Sequence, residues 1–568
     1  MKNTFNKRKF RYAGTSVALT ALIIAAVIIF NVIFSALSTK FLWYVDMTPD
    51  LLYSLSDECI DLIQNGDDSF DNSTNSPVAM VDKIRAENKA YNAENSLTEG
   101  MDGYRDEHSM INIIFCDDAD TLQANSTQRY VYYTALELQE KFPDYINIIN
   151  YNIIRNPSAV SKYKVTSTST IATTSVIVEF GTEFRIYTLR SFFTFSSDED
   201  EEPWAYNGEK KFAAGILAVT RAESPIACIT ANHGESLSDY ELLYTLEDAG
   251  YTVAYIDLAN EEIPADCRLI VVYNPNSDFL VKDGISDVDE ISKLDAFLDG
   301  TNSMMVFLSP DTPVLTNFEE YLEEWGISFD RFTDSTGTYP YMVQDKSQAL
   351  STDGFTIVSN YVTKGVAGSL TEDMRSVAIP KKVIFSNAMS ISYSDRYSPT
   401  HYTDEEDSTN SFDYASYSSN GTYRSIYNMF TASENAVAYA NGREVEKSTV
   451  ENPLALMTVS VEDRTTQESN YTTVNEASYV IACGSTGFAS ETLLQSSSYG
   501  NTDLLLSALR AIGREPVPVG LTFKPFADST IDTITTAQSR NITIVFAVVP
   551  AVLAIGVGIF VIVRRKNT

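Results

Sequence analysis

Only three of the 568 residues are histidines (His108, His233 and His401), so imidazole chemistry is confined to very few places. The candidate among them lies in Thr230-Ala-Asn-His-Gly-Glu235. This segment ends the apolar run beginning at Ile226, which reads as the first strand of a doubly wound sheet, and ligands of such sheets bind outside the carboxyl ends of the strands. Asn232, His233, Gly234 and Glu235 are therefore ligand-binding candidates, with Ser309 at the end of the run Met304 to Leu308. A hydrolase would pair His233 as base with a nucleophile such as Ser309. No GxSxG elbow surrounds Ser309, and Pro310 follows it directly. The residues favour a structural turn, with Gly234 taking the tight bend and Glu235 beside a helix N-terminus. No catalytic residue is assigned.

Other chemistry finds less support. A P-loop requires GxxxxGK[ST], and the chain contains no Gly-Lys dipeptide. HExxH, the DxDxDG calcium loop and a GxGxxG after a strand are also missing, so neither a metal nor a cofactor is expected. The acidic run Asp198 to Glu202 lacks spaced ligands and reads as a solvated loop. Five cysteines (Cys59, Cys116, Cys228, Cys267 and Cys483) lie far apart without a CxxC, which fits buried thiols better than a zinc ribbon or a disulfide framework. With 41 Lys+Arg against 76 Asp+Glu, a net charge of −35, the chain has no electrostatic grip on phosphate backbones, and nucleic acid is excluded as a partner.

The elements that must position these residues form two α/β modules. The first, residues 110–203, begins with the strand Met110 to Cys116, continues through a helix at 127–141 and a strand Ile146 to Tyr151, and closes with a hairpin, 175–180 and 184–190, across Gly181-Thr182. That order suits a small thioredoxin-like sheet. The second, residues 204–525, alternates short apolar runs (226–231, 252–258, 268–273 and 304–308) with helical stretches (236–249, 287–299 and 313–325), the pattern of a doubly wound parallel sheet of the amidotransferase-like or flavodoxin-like kind. Runs near 454–461 and 478–484 and a helix at about 501–512 complete it. Residues 330–450, rich in Ser, Tyr, Thr and Asp especially at 394–425, read as a long surface insertion.

Two uncharged apolar segments flank this body. Residues 13–37 and 542–563 are each long enough to cross a bilayer, which takes roughly 20 residues. Bases at Lys2 to Arg11 and at Arg564 to Lys566 place both tails, 1–12 and 564–568, in the cytoplasm. The expectation is thus a cell-membrane protein with two spans and an extracytoplasmic ectodomain. Segments 38–109 and 526–541 would be its juxtamembrane helix and linkers, with Ser56 capping a helix at 57 onward. Asn31, Gly556 and Gly558 are candidate membrane helix contacts.

Taken in order, several segments resemble the GldG-like family, auxiliary membrane proteins of gliding-motility-type ABC transport systems. They are Asp46 to Glu58, Gly208-Glu-Lys-Lys-Phe212, Ala231 to Glu235, Gly250-Tyr-Thr-Val253, Leu269 to Pro275, Phe297-Leu-Asp-Gly300, Met304 to Pro310, Ala482 to Phe488 and Gly500-Asn-Thr-Asp503. The resemblance implies a bacterial, non-ATPase auxiliary subunit beside an ABC-2-type permease and a separate ATP-binding subunit. It also implies an amidotransferase-like fold for the central domain, in which Ser309-Pro310 stands where a nucleophilic Cys would be. A stand-alone cell-surface binding or scaffolding protein is the alternative, and an extracytoplasmic hydrolase using His233 a second one.

Overall fold

The computed structural model describes residues 29–30, 51–67, 75–164, 171–195, 202–221, 224–376, 380–394, 400–402 and 414–526, with short gaps at 236, 238–239, 283–286, 420–421, 451, 470–471, 497 and 522. Helix α1 (Asp57–Asn65) starts where Ser56 accepts a hydrogen bond from the Cys59 amide, with Asp57 and Glu58 at the positive end of the helix dipole. Helix α2 (Pro77–Glu94) is capped in the same way by Ser76.

The first module has strands β1 (Ile111–Phe115), β2 (Ile146–Asn150), β3 (Ser175–Phe180) and β4 (Glu183–Thr188) in the order β2-β1-β3-β4. Strands β1 and β2 are parallel because helix α3 (Gln128–Lys141) crosses between them, while β3 runs antiparallel to both β1 and β4. Gly181, at a φ of 62°, makes the tight β3–β4 turn. Helix α4 (Gly208–Thr220) packs on β3 and β4, burying Phe212 and Ile216 against Val176, Val178 and Phe192.

In the second module β5 (Ile226–Thr230), β6 (Thr252–Ile256), β7 (Cys267–Tyr273), β8 (Ser303–Phe307) and β11 (Thr472–Cys483) lie parallel in the order β6-β5-β7-β8-β11. Both faces are covered. Along β7, Leu269 and Val271 face helices α5 (Glu241–Asp248) and α8 (Asn501–Gly513), whereas Ile270 and Val272 face α6 (Glu290–Asp299) and α7 (Thr316–Glu324). This alternation explains the near-continuous apolar runs that mark the strands in the sequence.

Three expectations about the fold require correction. The sheet is mixed and not wholly parallel: β11 pairs antiparallel with β10 (Ala455–Ser469), and β10 pairs antiparallel with β9 (Thr422–Thr431). Only two residues join β10 to β11, too few for a parallel crossover of a dozen or more. Strand β9 also shows that the stretch 330–450 is not solely a surface insertion, since it adds an interior strand towards one edge of the main sheet. Membrane anchoring is likewise not supported: among the described residues no helix is long and apolar enough to cross a membrane. The longest of them, α2 with 18 residues, carries Asp82, Lys83, Arg85, Glu87, Lys89 and Glu94. The expected spans 13–37 and 542–563, with the contacts Asn31, Gly556 and Gly558, lie outside the described residues except for Ile29 and Phe30. The cell-membrane location, the cytoplasmic tails and the extracytoplasmic ectodomain lose their footing with the spans.

The modules meet through charges. Lys210 and Lys211 at the start of α4 are buried, as is Asp248 at the end of α5. Lys211 Nζ lies 2.6 Å and Lys210 Nζ 3.8 Å from the Asp248 carboxylate. Burial depresses the Lys210 ammonium; in Lys211 burial opposes the charge but the pull of Asp248 and its neighbouring carboxylates raises the pKa. Removing the shared anion leaves two desolvated ammonium groups. Asp248→Ala is expected to cost about 3–5 kcal/mol in urea denaturation, and Lys210→Met, Lys211→Met and Asp248→Leu together to recover most of it. A loss below about 1 kcal/mol for Asp248→Ala would show that the charges are solvated instead.

Candidate functional site

Strand β5 ends at Thr230, and the chain then turns twice through positive φ, at Asn232 (75°) and Gly234 (77°). Between these two bends His233 is directed inward. A Cβ at Gly234 would lie 3.1 Å from the Asn276 Cβ, so glycine is required both by the dihedral and by this close approach. The turn is stitched to the loop after β7: the Asn276 and Ser277 amides donate to the His233 carbonyl at 2.7 and 2.9 Å, and Asn276 Nδ2 donates to the Gly234 carbonyl at 2.6 Å. Asn232 Nδ2 donates to Asp257, which follows β6.

The imidazole has no free nitrogen. His233 Nδ1 lies 3.1 Å from Glu235 Oε1 and Nε2 lies 3.1 Å from Glu290 Oε2, and all three side chains are at most 6% exposed. Its ring stacks on Phe279 at 4.0 Å, and Phe279 stacks on Phe318. Glu290 opens α6 and also accepts the Leu280 amide at 2.7 Å. Burial alone would discharge the ring, but hydrogen bonds to Glu235 and Glu290 and their negative charges overcome it and push its pKa up to about 9. Burial would raise Glu235 in turn, yet the donors on His233 hold it below its ordinary value. The result is an imidazolium between two carboxylates, a structural cation with no lone pair to accept a proton.

Ser309 is also engaged. Its hydroxyl donates to Asn274 Oδ1 at 3.1 Å, and its amide donates to Thr312 Oγ1 at 2.9 Å. Thr312 Oγ1 donates to the same Asn274 oxygen at 2.6 Å. No hydrogen bond joins Ser309 to His233, so the sequence candidates do not assemble into a base and nucleophile pair. Asn232, Gly234 and Glu235 do come together, with Thr230, Leu237 and Tyr255, around a cleft of about 360 Å³ at the carboxyl end of β5. The Thr230 hydroxyl there is buried without a hydrogen-bond partner. His233 does not line the cleft; it holds the cleft's wall in place.

A second cavity, of about 570 Å³, opens just beyond Ser309, between Pro310-Asp311 and the residues Tyr339, Phe355, Tyr439 and Asn441. Sequence reasoning passes over it, and over Glu290, because their partners lie far away along the chain: 57 residues separate Glu290 from His233. The only local signal for Glu290 is an acidic residue beside the Asp289 helix cap. Among the described residues no cluster of three His, Cys, Asp or Glu side chains is arranged to hold a metal. All five cysteines are buried free thiols; Cys228, Cys267 and Cys483 lie on strands, whereas Cys59 sits on α1 and Cys116 just follows β1.

No family model matches the chain, and no curated protein matches it. Among solved structures it is similar to the mmIFT52 N-terminal domain, at 12% identity and a TM-score of 0.32, over 51% of this chain and 97% of that one. It is also similar to PurLQS from Thermotoga maritima (10% identity, TM-score 0.25, 51% and 99% covered). A cytoplasmic protein from Salmonella typhimurium gives 10% identity and a TM-score of 0.24, with 50% and 98% covered. Likenesses this distant carry no functional argument.

The bonding of His233 has a pH signature. Its folded pKa of about 9 exceeds the ordinary 6.5, so its stabilisation is complete below pH 6.5 and is lost as the pH rises through 9. Glu235 acts in the opposite direction, contributing above its ordinary 4.5 and failing as the medium becomes acid. The thermal midpoint is expected to fall between pH 6.5 and 9.5, by the equivalent of about 3 kcal/mol, and this alkaline slope should vanish in His233→Gln. An unchanged slope in that variant would dismiss the imidazolium.

Proposed function

We propose that this protein is a non-catalytic, ligand-binding auxiliary subunit of an ABC-type transport system, working with a separate ABC-2-type permease and ATP-binding subunit. The observation that supports the non-catalytic, binding part is the engagement of His233 on both nitrogens beside an open cleft. An imidazole bonded in this way orders a loop and leaves the cleft to recognise a ligand without transforming it. The transport part draws on the ordered motifs shared with GldG-like proteins, and the missing P-loop assigns ATP hydrolysis to another chain. The motif Gly208-Glu-Lys-Lys-Phe212 fits this reading, since it is the segment that ties the modules together.

Affinity capture of the full chain from its host after mild crosslinking, followed by mass spectrometry, tests the proposal. Co-recovery of a permease and an ATP-binding protein in constant ratio is expected. Recovery of the chain alone under every condition would favour a stand-alone binding protein. Hydrolysis of ester or amide substrates by the purified chain, abolished by Ser309→Ala, would overturn the non-catalytic reading.

A further inference from the structure

The cavity of about 570 Å³ beyond Ser309 shares no lining residue with the cleft at β5 and is built differently. One wall is a face of a small antiparallel sheet, in which the strand Val437–Ala440 lies between Met342–Gln344 and Arg443–Lys447. Asn441 and Gly442, at φ values of 48° and 72°, form the two-residue turn that fixes the second pairing. Register then sorts the side chains. Val343 and its partner Ala438 are fully buried in the main core, so Met342, its partner Tyr439, and Gln344 stand on the opposite face, towards the cavity. Tyr339, from the strand Gly337–Pro340, and Phe355 bring two more rings, and Asp311 lies just beyond the carboxyl end of β8, at the edge where doubly wound sheets bind ligands.

The observation that selects a ligand class is the direction of the polar groups. Gln344 spends its donor inside the protein, Nε2 to the Asp353 carbonyl at 2.6 Å, and the Asn441 side chain donates to the Asp334 carboxylate. Their side-chain oxygens remain as acceptors. The Asp311 carboxylate has no hydrogen bond or ion pair among the described residues; only its amide is engaged, donating to Ser309 Oγ at 3.3 Å. No Lys, Arg or His lines the cavity. An anionic ligand would meet acceptors and a carboxylate, in a chain whose net charge of −35 already repels it. A positive ligand meets Asp311, amide oxygens and the negative faces of tyrosine rings. None of Tyr339, Phe355 and Tyr439 stacks on another ring among the described residues, and Thr336 Oγ1 fixes the Tyr339 hydroxyl at 3.0 Å. Three such rings with Met342 suit an apolar body beside the charge.

We propose that this cavity binds an amphipathic organic cation, an ammonium group carried on an apolar body. The body lies on the rings of Tyr339, Tyr439 and Phe355, and the ammonium is directed to Asp311 and the amide oxygens. The chain recognises this ligand and does not transform it. The inference concerns a site other than the cleft at β5 and does not depend on the transport reading.

The test titrates the full chain at physiological salt, by calorimetry and ligand-observed NMR, with three probes that share one body: 2-phenylethylamine (a cation at neutral pH), neutral 2-phenylethanol and anionic 3-phenylpropanoate. Maltose is the fourth probe. One saturable site for the amine is expected, with 2-phenylethanol about tenfold weaker and 3-phenylpropanoate and maltose unbound. Asp311→Asn, at an exposed position that leaves the fold intact, should weaken the amine by about fivefold, the upper range for one exposed charge pair. Tyr439→Leu should weaken it by a similar factor of about five through loss of the ring face. No saturable amine binding at millimolar concentration, equal affinity for 2-phenylethanol, or saturable maltose binding in its place would each overturn the proposal. Amine binding that both variants leave unchanged would overturn it too, assigning the uptake to the diffuse charge of −35.

Discussion

Three consecutive charged side chains, Glu209, Lys210 and Lys211, enter the interior at the first turn of α4, and most of the architecture follows from the need to neutralise them. Each would lose several kcal/mol of hydration if left alone, so each must find a partner fixed elsewhere. Glu209 takes the Ser56 amide and hydroxyl at 2.6 and 2.5 Å and Lys524 Nζ at 2.8 Å. The segment before α1 and the segment after α8 are thereby held side by side. Lys524 also donates to the carbonyls of Leu51 and Ser54. The two lysines turn the other way, to Asp248 of the second module. One helical turn thus joins the chain's early and late segments to both α/β modules.

A similar economy governs the carboxyl edge of the parallel strands. Both His233 nitrogens are engaged in this arrangement, by Glu235 of its own turn and by Glu290 at the start of α6. An imidazolium at that point converts two mutually repelling buried anions into a clasp joining the turn after β5 to the loop after β7. Asn274 does the same for Ser309 and Thr312 one strand further along. The switch point of the sheet, where β6 and β7 lie on opposite sides of β5, is therefore rigid in its walls and open in the cleft. Such a surface is suited to recognition.

Elements whose identity depends on local pattern are legible in the sequence: β1, β5, β7 and β8 each coincide with an apolar run, and Ser56 caps α1 as its spacing implies. The crowding of Asn232, Gly234 and Glu235 around one cleft follows from their position after β5. What is not legible depends on distant partners. The apolar run of β11 is the same whether its neighbour is parallel or antiparallel, and only the two-residue link to β10 decides between them. Strand β9 hides in a Ser- and Tyr-rich stretch because one edge of the sheet continues into that region, where composition resembles a loop. Nothing near His233 in sequence announces Glu290, and so the residue that removes the imidazole's last free nitrogen is visible only in three dimensions.

The charge state of His233 decides between a clasp and a base. Nitrogen-15 imidazole spectra of the full chain, with the other two histidines, His108 and His401, replaced by glutamine, read it directly. The clasp requires both ring nitrogens to be protonated at pH 7.5 and to titrate together near pH 9. A neutral tautomer at pH 7.5, with one nitrogen unprotonated, would contradict the account and return His233 to the candidates for general base.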